Sequence, residues 1–290
     1  MPLAPAQIAL AALELTLLFG GGGLLLTILF NPRHRQRWLR THALPYWPLT
    51  LPEFGGLAAL VMVCAFFVQT VAQQVFKGQI AAAADKTGLE VFVYGAAFHA
   101  GILLACVAFP TLRKQFEPNL GTEPPPLRQA PFLPWTQVLR YAGGTLLVVL
   151  PVVALLSLGW NLVLRALSLP DAPQDLVKIF AETKSNAVIA GMLVVACVLA
   201  PISEELVFRA GLFRYIRQKL GRKPALLVSG LCFGVLHGSW TGFVPLAALG
   251  MMLALVYEAT GSIRVPIIVH ALFNLNTVIV VLSGLAEATS

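Results

Sequence analysis

The residues best suited to chemistry in this sequence lie in its last third, directly after a long apolar run. Residues 186–200 carry no charge, and Glu204 and Glu205 follow them closely. Carboxylates are costly to place in a bilayer, so acids inside apolar segments are candidates for function. Arg209 comes four residues after Glu205, and residues four apart share a helix face, whereas adjacent residues point about 100° apart. Arg209 is therefore predicted to neutralise Glu205 and to leave Glu204 facing a cavity.

Two further motifs add histidines and an amide. Phe233 and His237 lie four residues apart in FGVLHG, and His270 and Asn274 have the same spacing in HALFN. Each pair therefore shares one face of a predicted helix. Together with Glu204, these motifs supply a carboxylate, two imidazoles and a carboxamide. Such a set can deprotonate a water molecule and stabilise an oxyanion, as peptide hydrolysis requires.

Each motif taken alone is also compatible with a structural role or with a metal. The two acids and the arginine could form an ion network that only stabilises the helix. A histidine in an apolar helix is often a packing residue, and an asparagine often hydrogen-bonds a neighbouring helix. Glutamate and histidine are also zinc ligands. The sequence lacks HExxH and Asn274 is a poor zinc ligand, so a site without metal or cofactor is predicted and zinc is the alternative.

The composition places these residues in a membrane protein. Of the 290 residues, 58% are hydrophobic and only 11% are charged, and the mean hydropathy is +0.80. Soluble domains contain roughly 45–50% apolar and about 25% charged residues. The predicted fold class is therefore all-α, a polytopic helical membrane protein. The formal net charge of +7 is attributed to basic loops on one membrane face, so no nucleic-acid partner is expected.

Eight transmembrane helices are predicted, because a span needs about 20 mostly apolar residues. Fourteen of the 20 lysines and arginines fall in loops of one face and five in loops of the other. This asymmetry predicts that both termini lie outside. A compact eight-span chain is also expected to be bacterial, in the cytoplasmic (inner) membrane. The predicted spans are residues 6–30, 52–76, 89–110, 138–160, 186–213, 224–239, 243–260 and 264–284.

The chain divides into an N-terminal set of spans, residues 1–180, and a C-terminal part, residues 186–284. Residues 112–135 contain six prolines and are predicted to form an extended cytoplasmic linker. Residues 170–183 are predicted to form an interfacial segment on the outer side. The C-terminal part is predicted to be a catalytic membrane core, with an active-site cavity between its helices. Glu14, an acid in the first span, has no assigned role.

In combination, the three motifs resemble the signature of the CPBP family. This family comprises type II CAAX prenyl endopeptidases and bacteriocin-processing or Abi proteins. The order and spacing of the motifs match, and the surrounding sequence, ELVFR and ALFN, is similar. The resemblance covers about residues 186–284, whereas the first 180 residues match only as a generic set of spans.

The resemblance implies an intramembrane glutamic endopeptidase that forms no acyl-enzyme. By position, Glu204 and His237 would activate the attacking water, and His270 and Asn274 would form the oxyanion hole. The expected partners are the lipid bilayer and a peptide or membrane-protein substrate, lipidated or not, while the oligomeric state stays open. Supporting roles would fall to Glu205, Arg209 and Phe233.

Two other classes fit part of the sequence. A proton-coupled transporter could use Glu14, Glu204 and the histidines as a relay, and a non-catalytic membrane scaffold would need none of them. If the three motifs form one site, Glu204 and His237 must lie at a similar depth in the membrane. Glu204 is expected near the cytoplasmic end of its helix, but His237 lies roughly 20 Å from that side. The sixth span is therefore predicted to begin deep or to tilt strongly, and a cavity that opens to the cytoplasm would satisfy this demand.

Overall fold

The computed structural model describes residues 3–38, 44, 47, 49–116, 132–170 and 175–285. These residues form helices and no strands. Seven of the helices, α1, α3, α4, α5, α7, α9 and α10, are long and apolar enough to cross a membrane. The predicted all-α polytopic membrane fold is thereby confirmed. The helices are α1 (Pro5–Phe30), α2 (Pro32–Trp38), α3 (Leu51–Ala81), α4 (Lys86–Phe116), α5 (Trp135–Ala166), α6 (Asp175–Glu182), α7 (Asn186–Leu220), α8 (Arg222–Leu236), α9 (Trp240–Thr260) and α10 (Arg264–Leu282).

The predicted sixth span is shorter than the others. It corresponds to α8, which has 15 residues and falls below the length of about 20 expected for a full span. Small residues bring α8 very close to α9, and a Cβ atom on Gly234 would lie 2.6 Å from the carbonyl oxygen of Phe243. Such close backbone approach is the usual use of small residues in membrane helices. The helix therefore forms one arm of a tight hairpin with α9.

The two ends of the chain lie at the same end of the bundle. The side-chain amide of Gln7, at the start of α1, donates to the carbonyl oxygen of Ser283, just after α10, at 2.9 Å. The helices from α1 to α10 therefore traverse the bundle an even number of times, and the short α8 runs beside the seven long helices as an eighth. We call this end of the bundle the far end.

The basic loops meet at the opposite end, which we call the basic end. Arg217 and Arg222 each place Nε 2.6 Å from a carboxylate oxygen of Glu258, whose side chain is 1% exposed. Arg264 donates to the carbonyl oxygen of Leu133 at 2.6 Å. These contacts join the end of α7, the α8–α9 hairpin, the start of α10 and the segment before α5. Basic residues that the sequence assigned to one face thus share one end of the bundle.

The helix α7 is long and irregular, and it carries both acids of the first motif. Two π-helical segments, Val195–Leu199 and Leu206–Phe213, interrupt it. Pro201 lacks an N–H and cannot donate to a carbonyl in the preceding turn. The N–H of Ala200 donates to Val195, five residues back, so the carbonyl of Ala196 needs a partner outside the helix. Such π-bulges are frequent at functional sites.

Two predicted loops are only partly covered by the described residues. The predicted interfacial segment contains α6, which is helical over eight residues, while residues 171–174 lie outside the description. The helix α4 extends to Phe116, and residues 117–131 of the predicted linker also lie outside it.

Candidate active site

A cavity of about 230 Å³ brings the four predicted catalytic residues together. Glu204 comes from α7 and His237 from the turn that follows α8. His270 and Asn274 come from α10. Motifs that are separated along an apolar sequence thus place their polar side chains in one group inside the bundle. We call these four side chains the polar group.

The length of α7 explains how Glu204 and His237 reach a similar depth. Glu204 precedes the turn at Gly221 by 17 residues, and His237 follows that turn by 16. The two helices run in opposite directions from the turn, so the two side chains lie at similar distances from it. The prediction that Glu204 lies near the end of its helix is wrong, because α7 continues to Leu220. No strong tilt of α8 is required.

Glu205 and Arg209 form a fully buried ion pair. Nη1 of Arg209 lies 2.9 Å from Oε1 of Glu205, and neither side chain is exposed. Nη2 of Arg209 donates to the carbonyl oxygen of Gly250 in α9 at 3.0 Å. A buried charge is costly without partners, so the pair holds α7 against α9. The stacking that the four-residue spacing predicted is observed.

This ion pair also orients His270. The ring is buried, with Nδ1 3.0 Å from Oε1 of Glu205 and Nε2 3.9 Å from Oε2 of Glu204. A carboxylate is only an acceptor, so the proton of this hydrogen bond belongs to Nδ1. Glu205 therefore holds the imidazole with its Nε2 edge toward Glu204 and the cavity.

Glu204 differs from Glu205 in its partners. Oε1 of Glu205 is held by Arg209 and His270, although Oε2 of each acid lacks a hydrogen-bond partner among the described residues. The Glu204 side chain is 19% exposed, and its buried Oε2 makes no hydrogen bond to any described residue. An unpaired polar atom inside a protein is costly. Glu204 is consequently the carboxylate of this cavity with the greatest capacity to bind a proton donor.

His237 is fixed by its own helix and by an aromatic ring. Nδ1 of His237 lies 2.7 Å from the carbonyl oxygen of Phe233, so Nδ1 carries the proton and Nε2 keeps a lone pair. The Phe233 ring centroid lies 4.6 Å from that of His237 and 5.5 Å from that of His270. The Arg209 guanidinium carbon lies 4.5 Å from the same centroid. Phe233 thus sets the spacing of three polar side chains.

The side-chain amide of Asn274 supplies the hydrogen-bond donor that one carbonyl of α7 lacks within its own helix. Its Nδ2 donates to the carbonyl oxygen of Ala196 at 2.8 Å. This carbonyl is the one that Pro201 and the π-bulge leave without a partner in the helix. An amide nitrogen carries two hydrogens, so one N–H of Asn274 is left for a ligand in the cavity.

Sequence reasoning missed His99 and Ser203. His99 belongs to α4 but lines the same cavity as the four motif residues. Its Nδ1 lies 2.8 Å from Oγ of Ser203, the residue before Glu204. A single histidine in an apolar span has no motif to mark it, and only the packing of α4 on α7 brings it to the site. The candidate active-site cavity is therefore not confined to the C-terminal helices.

The apolar part of the cavity extends toward the far end. Several of the apolar lining residues lie on the far-end side of the polar residues in the same helix, and α6 contributes a buried phenylalanine at that side. The cavity therefore has an apolar extension on the far-end side of its polar residues, and the expected opening toward the cytoplasm stays a prediction. The residues of this part are Val91, Phe180, Met192, Val278 and Val281.

Glu14 does not line the cavity that holds the four motif residues. In the part of the chain that the structure covers, no three His, Cys, Asp or Glu side chains are grouped so as to hold a metal ion. Oε2 of Glu14 instead accepts from the side-chain amide of Asn276 at 3.4 Å, which links α1 to α10.

Two comparisons with known proteins bear on this geometry. Residues 186–276 match the family model described as type II CAAX prenyl endopeptidase, Rce1-like. The resemblance to the CPBP family is confirmed. The matched segment runs from the first residue of α7 to just past Asn274, so it contains all three motifs. His99 lies outside this CPBP-like segment and joins its cavity through tertiary packing.

The second comparison is with a protein of Bacillus subtilis (strain 168) named "Putative membrane peptidase YdiL". It is 33% identical over 88 residues, which are 30% of this chain and 36% of that protein. The match therefore spans about a third of the length of this CPBP-like relative. No solved structure matches the chain.

Proposed function

We propose that this protein is an intramembrane endopeptidase that hydrolyses a peptide bond of a membrane-associated protein or peptide. The observation that carries the proposal is the single cavity lined by Glu204, His237, His270 and Asn274. It combines an unpaired carboxylate, two oriented imidazoles and an amide donor inside a membrane bundle. The matching family model and the matching Bacillus subtilis protein both carry the names of peptidases. Their names support a peptidase function here.

Water is the proposed nucleophile. Glu204 has an unpaired oxygen, and His237 presents the lone pair of Nε2 because its Nδ1–H is held by a backbone carbonyl. Two acceptors on one cavity can hold both hydrogens of a water molecule. Glu204 then takes one of them as general base when the oxygen attacks the substrate carbonyl carbon.

Asn274 and His270 are the proposed oxyanion donors. The free N–H of Asn274 can meet the carbonyl oxygen as negative charge develops. His270 needs a proton on Nε2 for this role, because its Nδ1–H already donates to Glu205.

The proposed step balances without a covalent enzyme intermediate. The water oxygen bonds to the carbonyl carbon, and one water proton passes to Glu204. The carbon–nitrogen bond then breaks, and Glu204 returns that proton to the leaving nitrogen. The products are a carboxyl terminus and an amine, and Glu204 is again a carboxylate.

An apolar sequence next to the scissile bond is the proposed substrate feature. The cavity beyond the polar group is walled by aliphatic side chains, methionine and Phe180, which favour apolar substrate residues. Transmembrane or lipidated proteins provide such sequences. We place the basic end at the cytoplasm and both termini outside by the positive-inside rule. Impermeant thiol reagents should then label cysteines introduced at positions 2 and 289 from the outside.

The function can be tested before any individual substrate is identified. Purified protein in liposomes is incubated with a detergent-solubilised membrane proteome, and new peptide termini are identified by mass spectrometry. The wild type should generate termini that Glu204→Gln does not. Glu14→Gln is the matched control, since it removes an intramembrane acid outside the cavity, and it should cleave normally. Identical profiles for wild type and Glu204→Gln would refute the proposal, and loss of cleavage in Glu14→Gln would favour a proton relay.

A further inference from the structure

We propose that His99 is a further substrate-contacting residue, whose Nε2 accepts a hydrogen bond from a peptide N–H of the substrate. The proposal rests on the proposed peptidase function and adds to it a residue of α4. His99 lies outside the segment that matches the peptidase family, residues 186–276. It nevertheless lines the same cavity as Glu204 and His270.

The hydrogen bonds of Ser203 determine which nitrogen of His99 carries the proton. Ser203 is completely buried, and its hydroxyl donates to the carbonyl oxygen of Ala200 at 3.1 Å. We assign the single hydrogen of this hydroxyl to that bond, so that toward His99, at 2.8 Å, Oγ of Ser203 accepts. Nδ1 of His99 is therefore the protonated nitrogen, and Nε2 keeps its lone pair.

Packing between α4 and α7 holds the ring in place. A Cβ atom on Gly191 of α7 would lie 2.8 Å from the Phe92 ring of α4, so the absence of a side chain there permits close approach of the two helices. The ring of Phe98 contacts the His99 ring edge to face, at 5.6 Å between centroids. With the Ser203 hydrogen bond, these contacts fix the position of the imidazole before any substrate binds.

The assignment to a substrate N–H follows from matching donors and acceptors. A peptide bond presents one carbonyl acceptor and one N–H donor. In the proposed reaction, Asn274 and His270 face the carbonyl oxygen, while Glu204 and His237 hold the water. Of the three imidazoles that line the cavity, His99 is the one with no role in these contacts, and a peptide N–H buried without a partner would be costly. Contact with His99 therefore completes the hydrogen bonding of the bound peptide.

Two substitutions of His99 separate a substrate contact from a structural role. In His99→Asn, the amide nitrogen takes the place of Nδ1 and keeps the donor to Ser203, but no acceptor remains at Nε2. In His99→Gln, the amide oxygen reaches the place of Nε2, but the donor to Ser203 is lost. Each variant thus retains one of the two hydrogen bonds.

The expected result is a KM effect confined to the first variant. For a peptide found in the proteome cleavage assay, His99→Asn should raise KM about five- to tenfold and change kcat by less than about twofold, because one uniform binding contact is lost. His99→Gln should stay within about twofold of the wild type in both constants. Any other order overturns the proposal, and in particular a normal His99→Asn with an impaired His99→Gln would assign a structural role.

The tautomer of His99 can be read without any substrate. In detergent-solubilised protein with ¹⁵N-labelled histidine, the His99 signals are those lost in His99→Asn. They should show a protonated Nδ1 and an unprotonated Nε2, and Ser203→Ala should alter the Nδ1 signal. A proton on Nε2 would overturn the proposal even in an active enzyme. Failure of the wild type to cleave any protein, with the expected tautomer present, would instead refute the peptidase function.

Discussion

Two buried acidic clusters in the C-terminal helices have opposite environments. At the basic end, both oxygens of Glu258 are paired, one with Arg217 and one with Arg222. In the cavity, Oε2 of Glu204 makes no hydrogen bond to a described residue. Both acids lie in apolar helices, where an ionised carboxylate is costly. A fully paired acid can only tie helices together, whereas an unpaired acid beside imidazoles is available for chemistry.

Glu205 belongs to both types and shows why the distinction depends on partners. Arg209 neutralises it as the arginines neutralise Glu258, yet its second contact is with His270 rather than another cation. Glu205 therefore stabilises the helix pair and orients a reacting group at the same time. The comparison predicts that substitution of Glu204 chiefly reduces the rate, whereas substitution of the ion-paired residues chiefly reduces stability.

The largest effect should come from Glu204→Gln. Removing a general base typically costs about 10²–10⁴ in rate, and this glutamine would keep the size of the side chain. His237→Ala should cause a similar loss, and the double variant should be little worse than either, because residues that act as a unit are not additive. Cleavage rates and thermal midpoints in detergent would be measured for each. Retained turnover in Glu204→Gln would remove the proposed base.

Arg209→Ala should chiefly reduce stability. Removal of one partner from a buried ion pair commonly costs about 3–5 kcal/mol, and Glu205 would be left charged and buried. Reversible unfolding in mixed detergent, or yield of folded protein after extraction, would measure the loss. A variant that is fully stable but inactive would make the arginine a substrate contact instead.

Asn274→Ala should reduce the rate with little change in KM. Loss of one oxyanion donor typically costs about 10²–10³ in kcat. The matched control is Asn276→Ala, two residues further along α10, whose amide contacts Glu14 and not the cavity. Steady-state kinetics of both variants would test the assignment. Equal losses in the two would indicate a general effect on α10.

Glu258→Gln should reduce stability and leave the cleavage rate unchanged, which is the opposite of the effect expected for Glu204→Gln. The loss of a buried carboxylate that bridges two arginines should reduce the free energy of unfolding by about 1–3 kcal/mol. This is less than for Arg209, because the two arginine side chains are about one third exposed and can be solvated. Cleavage by the folded fraction should be normal. A rate loss as large as that of Glu204→Gln would end the distinction between the two clusters.

The smallest expected effect is that of a chelator. Glu204 and His237 are proposed to activate water without a metal, so cleavage should continue after incubation with a zinc chelator and dialysis. Elemental analysis of active protein accompanies the assay. Stoichiometric zinc that is lost in His270→Ala, together with activity restored by added Zn²⁺, would replace the metal-free mechanism.

Some features of the candidate site could be predicted from the sequence because they are local. The spacing of Glu205 and Arg209 fixes their contact through helix geometry alone, and the structure shows that contact. The position of Glu204 relative to the bundle could not be predicted in the same way. Apolar residues alone do not reveal where α7 ends, and the polar last turns up to Leu220 continue the helix beyond the predicted span.

Residues without a motif could not be predicted because their roles depend on long-range packing. His99 is separated from Ser203 by 104 positions, and Glu258 from Arg217 by 41. Neither residue lies in a pattern with helical spacing to a polar partner. The partner of the Ala196 carbonyl, Asn274, likewise comes from another helix.

The sequence by itself determined the helical membrane fold, the unequal distribution of basic residues and the three motifs of the C-terminal part. Hydropathy and helical spacing are local quantities, so they do not depend on how the helices pack. Only the tertiary structure decided the depth of His237, the entry of His99 into the cavity and the direction in which the cavity extends. These depend on how far each helix continues and which faces meet, and a membrane gives little hydrophobic force between helices to mark those faces in the sequence.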